Sequence, residues 1–307
     1  MVMIMMKMKT LLVVVMSLLI LGVAQAEEKL KPFVLAEMSS GEMADVVSSV
    51  ENKLTAAGFN VVGKYSPYAG ATIIGVSSSA LLNVAGKTDF GVFAAAQRVS
   101  VTKGADGKLQ VAYTNPVYMA NAYRLSSDLT DVAAELKQAL GMIKSYGSKE
   151  GLTAEELRNY QYKWLMPYFD DRLELASYAS YEDAVKGVEA ALAAAKGGVK
   201  KVYRVDVPGK QMSLFGVHLT EKSSDECAGD KYIMERIDFK DIKSTAHLPY
   251  EIVVKGNTAY ALRAEFRIAI SFPDLSMMGS NSFASIMCAP AAIEESLTLA
   301  AGGKLEE

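Results

Sequence analysis

Histidine is the first residue type to consider, because imidazole is the side chain that most often transfers protons or binds metals near neutral pH. The chain has two histidines, and one of them lies in the polar segment Ser244–Pro249, whose composition is typical of a loop. Loops carry binding and catalytic residues more often than strands do. We therefore predict a ligand-binding set of four residues near this loop. Its members are His247, Tyr250, Arg263 and Arg267.

A hydrolytic interpretation of His247 is the first alternative. In it, the imidazole acts as general base toward Ser244 or Ser280, and Asp238 supports the imidazole. The chain carries no Gly-x-Ser-x-Gly motif, which marks the nucleophile in many serine hydrolases. The main prediction is therefore a protein without catalytic activity, and a hydrolase that uses His247 stays as an alternative.

Sulfur-bearing side chains suggest a second alternative, the handling of copper or another soft metal. Thioether and thiolate sulfur suits Cu(I), and Met277, Met278, Met287 and Cys288 lie close together in the sequence. Methionine also fills irregular gaps in cores, and 16 methionines make a chance cluster easy. The chain has no Cys-x-x-Cys and no His-x-x-x-His, so we predict no preformed zinc or haem site and no cofactor.

The two cysteines, Cys227 and Cys288, are both in the second half of the chain. In an oxidising compartment they would form a single structural disulfide. The alternative is two unrelated thiols, because sequence spacing does not give the Cα separation that a disulfide requires. Both interpretations stay open.

The element expected to position the arginines is a long strand. From Tyr260 to Phe272 every second residue is apolar, and Arg263 and Arg267 fall between these apolar positions. A period of two predicts a strand, Thr258–Pro273, with one face in the core and the charges on a solvated face. The charged row either binds an anion or is stabilised by neighbours of opposite sign on the same face.

The predicted elements occur twice in the same order: a helix, two strands, an irregular segment, a hairpin and a helix. We expect an α+β fold of two tandem domains, each a curved antiparallel sheet packed against helices on one face. The domains are residues 27–145 and 180–307. The connecting residues 146–179 form a helical linker rich in aromatic side chains, which either packs between the domains or forms a partner surface.

Short motifs in the first half carry a family resemblance. They are Glu51-x-x-Leu54-x-x-Ala57-Gly58-Phe59, Phe90-Gly-Val92, Val99-Ser-Val101, Gly107-Lys-Leu-Gln-Val111 and Tyr113-Thr-Asn-Pro116. With them, roughly Val34 to Leu140 resembles the family called domain of unknown function 302, and the second half looks like a diverged copy. The resemblance implies a compact α+β domain similar to the TATA-binding-protein-like fold, with no established activity. By analogy with other proteins of similar fold, we also expect a small apolar ligand to bind between the sheet and a helix.

The N-terminal residues 1–26 have the three-part pattern of a secretory signal peptide. Lys7 and Lys9 precede the apolar run Leu11 to Val23, and small residues follow up to Ala26. We predict cleavage after Ala26 and a soluble exported protein, periplasmic in a cell with two membranes. No later stretch of the sequence looks transmembrane, so no membrane span is expected after cleavage.

The charge pattern limits the partners. The formal net charge is -3 with both signs interspersed, whereas binding to nucleic acid requires a concentrated basic surface. Nucleic acid is therefore not an expected partner. The expected partners are an unidentified small molecule, another exported protein, or a second copy of the chain in a homodimer.

Overall fold

The structure is a computed structural model, and it describes residues 28–223 and 225–305. The predicted signal peptide, residues 1–26, lies outside these ranges. The described chain combines helices with two antiparallel sheets, which confirms the predicted α+β fold class.

The first half builds a six-stranded sheet. Its strands are β1 (Phe33–Ser39), β2 (Asn60–Tyr65), β3 (Ala71–Ser77), β4 (Gln97–Lys103), β5 (Leu109–Thr114) and β6 (Lys144–Tyr146). Its helices are α1 (Met43–Ala56), α2 (Ser79–Ala85), α3 (Pro116–Ala122) and α4 (Thr130–Leu140), and the short α5 (Ala154–Arg158) follows in the linker. The strand order is β2-β3-β4-β5-β1-β6.

The second half builds a five-stranded sheet. Its strands are β7 (Leu173–Ser177), β8 (Val199–Asp206), β9 (Met212–Leu219), β10 (Tyr250–Lys255) and β11 (Thr258–Ala261). Its helices are α6 (Tyr181–Ala193), α7 (Asp230–Ile237), α8 (Ala264–Ser271) and α9 (Ala289–Ala300). The strand order β8-β9-β10-β11-β7 matches the order β2-β3-β4-β5-β1 of the first sheet position by position.

Helices α1 and α6 form where the apolar residues recur every three or four positions. In α1 the buried face consists of Val46, Val47, Val50 and Leu54, and this face packs on β2, β3 and β4. Helix α6 begins at Ser180, whose hydroxyl accepts a hydrogen bond of 3.1 Å from the amide of Asp183. Such a cap satisfies one of the free amides in the first turn. The sequence predicts each of these helices from its apolar residues at helical spacing, and the structure confirms both.

The predicted long strand Thr258–Pro273 is wrong. The strand ends at Ala261, and α8 follows from Ala264 to Ser271. Seven of the eight residues of α8 are buried, Glu265 being the exception. A helix that is buried all round has no polar face, so the spacing of its apolar residues does not show a helical period.

The sequence also predicts a bulge or an edge position at Asn115-Pro116, where the pair interrupts a possible strand toward Tyr123, and this prediction is wrong in the same way. Pro116 begins helix α3, and the side chain of Asn115 accepts a hydrogen bond of 3.1 Å from the amide of Val117. Six of the seven residues of α3 are buried. Helices α3 and α8 follow matching hairpins in the two halves, so both errors occur at equivalent places.

The two halves pack against each other through matching cross-strand rows. In the first sheet, three residues lie side by side on β2, β3 and β4; they are Gly63, Gly75 and Arg98. In the second sheet the matching residues on β8, β9 and β10 are Tyr203, Gly216 and Glu251. We call these two sets the junction rows. The buried apolar side chains of both halves belong to one continuous core.

The ring of Tyr203 fills the space that the glycines of the junction rows leave. A Cβ added at Gly75 would lie 2.6 Å from the Cε1 atom of Tyr203, and one added at Gly216 would overlap the ring itself. Gly75 therefore allows the ring to pack between the sheets, and Gly216 allows it to lie across the face of its own sheet. A β-bulge precedes the first position of both rows, at Val61 to Gly63 and at Lys201 to Tyr203.

The aromatic linker divides into a buried part and an exposed part. Tyr160 and Phe169 are buried and their rings contact Phe266 on α8, as expected for residues that pack between the halves. Trp164 and Leu165, in contrast, are 84% and 77% exposed. The packing interpretation therefore holds for the two ends of the run, and its middle forms an exposed apolar tip.

One segment within the described ranges, Phe283–Ala300, is long and apolar enough to cross a membrane by length and composition. In this structure 44% of the segment is buried inside the protein. A core helix of a soluble protein meets the same criterion, so this segment is weak support for a membrane span.

Gly216→Ala should destabilise the protein, because the new methyl group would overlap the ring of Tyr203. We expect the free energy of unfolding to fall by about 1–3 kcal/mol. The same change made in a Tyr203→Leu background should cost clearly less, because the ring is gone. Urea denaturation of the four variants measures the coupling. An equal cost in both backgrounds would show that the contact with the ring is not what makes Gly216 necessary.

Candidate functional site

A buried ion pair joins the two junction rows. The Arg98 guanidinium on β4 donates a hydrogen bond from Nη1 to Glu251 Oε1 on β10 at 3.0 Å. Its Nε donates to the carbonyl of Ala246, also at 3.0 Å. The side chains of Arg98 and Glu251 are only 2% and 1% exposed. The pair therefore crosses from one half to the other inside the protein.

Arg267, on α8, extends this ion pair into a network. Its Nη2 donates to the carbonyls of His247 and Pro249 at 2.7 and 2.6 Å. Its Nε lies 3.5 Å from Glu251 Oε2. One glutamate thus lies between two arginines, and Arg267 also holds the backbone that leads into β10.

His247 takes part in the same network as a neutral side chain. Its Nδ1 lies 2.9 Å from Ser271 Oγ and 3.3 Å from Arg267 Nη1, and its Nε2 lies 3.3 Å from Tyr250 Oη. A guanidinium only donates, so Nδ1 must accept, and Nε2 carries the proton and donates to Tyr250. Burial, followed by the charges of Arg267 and Arg98, lowers the pKa of His247 well below its ordinary value.

The structure brings together three of the four residues in the predicted ligand-binding set. His247, Tyr250 and Arg267 contact one another, and each is at most 2% exposed. Their polar contacts are with other buried groups of the second half, among them Glu251, which pairs with Arg98 of the first half. Arg263 lies apart at the start of α8, where its side chain is 40% exposed and Nη1 is 3.7 Å from Glu294 Oε2. The predicted solvated charge row is therefore wrong for Arg267.

The residues of the hydrolytic alternative do not form a proton relay. Ser244 contacts the Asp238 carboxylate through its backbone amide, at 2.9 and 3.0 Å, and not through its hydroxyl. The His247 ring contacts Ser271 and Tyr250 instead. Ser280 lies on an exposed loop.

The predicted sulfur ligands lie mostly on the surface. Met277 and Met278 are 41% and 76% exposed in the loop after α8, and Met287 is 79% exposed just before α9. Cys288 is an exposed free thiol. Within residues 28–223 and 225–305, no cluster of three His, Cys, Asp or Glu side chains could hold a metal ion. Metal handling stays a prediction.

A cleft opens where the two halves meet, and we call it the junction cleft. Its volume is about 430 Å³. The first half contributes the turn before β3 and the end of β4, and the second half contributes the end of α7 and the segment after it. Its lining includes Tyr68, Thr102, Met234, Asp238, Phe239 and Lys243.

A chain of hydrogen bonds supports the inner wall of the junction cleft. Thr245 Oγ1 accepts from Thr102 Oγ1 at 2.9 Å and from Tyr68 Oη at 3.4 Å. The Thr245 hydroxyl in turn hydrogen-bonds the carboxyl group of Asp238. The side chains come from β4, from the β2–β3 turn and from the segment before β10, so the wall exists only when both halves are packed together.

Asp238 is the carboxylic acid of the junction cleft whose pKa is shifted toward neutrality. It is 7% exposed, and burial raises its pKa to about 7 although the Ser244 amide, Lys243 and Thr245 each lower it. The carboxyl group is therefore divided between its neutral and charged forms near pH 7. A protonated carboxyl donates a hydrogen bond and an ionised one only accepts.

A second buried acid stands at the other end of α7. Asp230 is fully buried and accepts a hydrogen bond of 3.0 Å from Tyr65 Oη. Burial raises the pKa of Asp230 well above its ordinary value. His218 Nε2 lies 3.8 Å from Asp230 Oδ2, and burial followed by the charge of Lys200 lowers the pKa of His218 to about 4.

A larger groove of about 1560 Å³ runs along the linker, past Lys149, Glu155 and Asp274. This groove is wide open to solvent, and side chains such as Glu155 and Lys149 along it are polar and solvated. We favour the junction cleft as the candidate site because small-molecule sites prefer domain junctions and because a strongly shifted pKa marks functional sites more often than chance.

Comparisons of this chain with protein-family models, with curated proteins and with solved structures found no match. The resemblance of Val34 to Leu140 to the domain of unknown function 302 family therefore stays a prediction.

Glu251→Gln should strongly destabilise the protein, because it leaves the charges of Arg98 and Arg267 inside the core without a counterion. We expect a loss of about 3–5 kcal/mol in the free energy of unfolding. Glu294→Gln is the matched control, since it breaks the exposed pair with Arg263 and should cost less than about 0.5 kcal/mol. Similar losses in the two variants by denaturant unfolding would contradict the role assigned to the buried network.

Asp238 should make stability fall as the pH rises. Its pKa is about 7 in the folded protein and about 4 in an unfolded chain, so the folded state binds the extra proton. This contribution to stability is fully present below pH ~4 and is lost as the pH rises through ~7. Relative to Asp238→Asn, the wild-type free energy of unfolding should fall by about 2–4 kcal/mol between pH ~4 and ~8.

Urea denaturation of both proteins across this pH range measures the difference, and every other titrating group cancels in the comparison. Parallel pH profiles for the wild type and Asp238→Asn would rule out a raised pKa for Asp238.

Proposed function

We propose that this chain is an exported, non-catalytic binding protein that holds a small ligand in the junction cleft. The observation that carries the proposal is the combination of a cleft built by both halves with a buried carboxyl group whose pKa is about 7. A volume of about 430 Å³ lies within the range of about 300–1,000 Å³ that is usual for small-molecule sites. A small ligand therefore fits the cleft better than a folded protein partner does.

The lining indicates the chemistry of the ligand. Phe239 is 51% exposed at the rim, which offers a ring for an apolar or aromatic body to stack on. Asp238 and Lys243 offer polar groups deeper in the cleft and beside it. The preferred ligand has an apolar body and one hydrogen-bonding end. Near pH 7 the Asp238 carboxyl group would serve a donor or an acceptor with little cost, because both of its protonation states are accessible.

We also infer that the two halves are a tandem repeat. The matching strand orders support this inference, as do the junction rows, in which corresponding positions of the two halves meet. In this view a pseudo-two-fold axis passes between Arg98 and Glu251, and the junction cleft lies where the copies have diverged.

Export is proposed on the strength of the basic, apolar and small-residue pattern that ends at Ala26. A periplasmic or extracellular binding protein without its own chemistry would act by carrying or sensing its ligand. The proposal does not depend on a second copy of the chain, because both walls of the cleft come from one chain.

Phe239→Ala should weaken the binding of an apolar probe. Anilinonaphthalene sulfonate combines an aromatic body with a polar end, and its fluorescence reports binding directly. We expect Phe239→Ala to raise the Kd by about three- to tenfold, the worth of one aromatic contact. Trp164→Ala is the matched control, because it removes an exposed aromatic ring far from the cleft in sequence and should leave the Kd unchanged.

Native mass spectrometry of the mature protein, purified from its own host, should then show a bound small molecule that Phe239→Ala loses. Equal effects of Phe239→Ala and Trp164→Ala on the probe, together with the recovery of a ligand-free protein, would overturn the proposal.

A further inference from the structure

The two cysteines of the chain lie near each other in the second half. The single-turn helix Glu226–Ala228 packs against α9, and Cys288 immediately precedes α9. Cys288 is close enough to Cys227 to raise the pKa of its thiol. Tyr232 on α7 adds a third contact, because its hydroxyl lies 3.6 Å from Cys288 Sγ. Segments far apart in the sequence thus bring the two cysteines near each other.

Local structure holds Cys227 in this position. The carboxylate of Asp225 accepts a hydrogen bond from the Cys227 amide at 2.9 Å and one from its thiol at 3.0 Å. The first of these bonds caps the turn, because it satisfies an amide that would otherwise have no partner. A thiol fixed in this way needs little further movement to react with its neighbour.

The two thiols differ in access. Cys227 is 3% exposed, whereas Cys288 is exposed at the surface. A soluble reagent therefore reaches Cys288 before it reaches Cys227. This arrangement is the one expected of an attacking thiol with a resolving partner behind it.

We propose that Cys227 and Cys288 form a redox-active pair that is converted to a disulfide by exchange with a low-molecular-weight disulfide. In the first step the Cys288 thiolate attacks one sulfur of the reagent, the S–S bond of the reagent breaks, and one thiol leaves with the proton. In the second step Cys227 attacks Cys288 Sγ, which releases the second thiol. The two protein sulfurs are oxidised and the reagent is reduced to two thiols.

The order of the steps follows from the surroundings of Cys227. Burial raises its pKa, and the hydrogen bonds to Cys288 and Asp225 raise it further. Once Cys288 is in a mixed disulfide, its thiol no longer holds Cys227 in the protonated form. One of the causes that keep Cys227 protonated is thus removed by the first step, and the nearness of the two cysteines favours closure of the intramolecular bond over a second adduct.

The pair does not depend on the proposed ligand. The new bond would connect the turn before α7 with the start of α9 and would restrict the unfolded chain. On that ground the disulfide form should melt on the order of 5–10 °C above the dithiol form. The proposed export of the chain would place the pair in a compartment where disulfides persist.

The test uses the full mature chain and oxidised glutathione as the probe. The reduced protein should show one fast thiol and one slow thiol toward a thiol reagent. After incubation with the probe it should show none, with a mass loss of about 2 Da for two hydrogens and no retained glutathione. Peptide mapping should then identify a Cys227–Cys288 bond. Cys227→Ser should instead keep one glutathione on Cys288, because the resolving thiol is absent.

Cys288→Ser is the matched control, and its buried remaining thiol should stay free of glutathione. Two outcomes would overturn the proposal: a wild-type protein that retains a glutathione adduct on Cys288, or one in which both thiols stay reduced. The wild-type measurement decides the question even where a serine variant fails to fold.

Discussion

The buried Arg98–Glu251–Arg267 network is the interaction on which the rest of the structure depends. Taking three charges out of water is costly, so such a network is weak evidence of stability and better evidence that one packing is selected over others. Here it also holds the segment that forms the site, because Arg98 binds the carbonyl of Ala246. The neighbouring Thr245 supports the wall of the junction cleft. The network thus determines the geometry of the cleft without lining it.

Burial at the junction shifts two titrations in opposite directions. A neutral His247, with its pKa far below the usual value, contributes stability that is present above pH ~6.5 and is lost as the pH falls. Asp238 contributes stability that is lost as the pH rises toward about 7. These two buried groups therefore change stability with pH in opposite directions. A ligand that contacts Asp238 would change the titration of Asp238 and not that of His247.

The β4–β5 hairpin was predicted from its turn residues, since its two strands are almost wholly buried. Periodic sequence patterns predicted α1 and α6, because each has one polar face and solvent imposes a period on it. They failed at α3 and α8, which are buried all round and so have no period. Candidate site residues were chosen by residue type, and this choice identified His247 but did not predict that it is buried. The junction cleft was missed because the pKa of Asp238 depends on side chains from separate segments, and no local pattern encodes that contact.

The junction rows explain why two halves with matching strand order are joined in one chain. If either half paired with a copy of itself, a two-fold interface would set each row against an identical row. Arg98 would then face Arg98, and the first row would offer two glycines and no ring to fill the space between them. Two copies of the second row would instead place Glu251 against Glu251 and one Tyr203 ring against another. A cation can face an anion, and a ring can face a glycine, only when the two rows differ. The differences between the halves are therefore what makes their interface complementary.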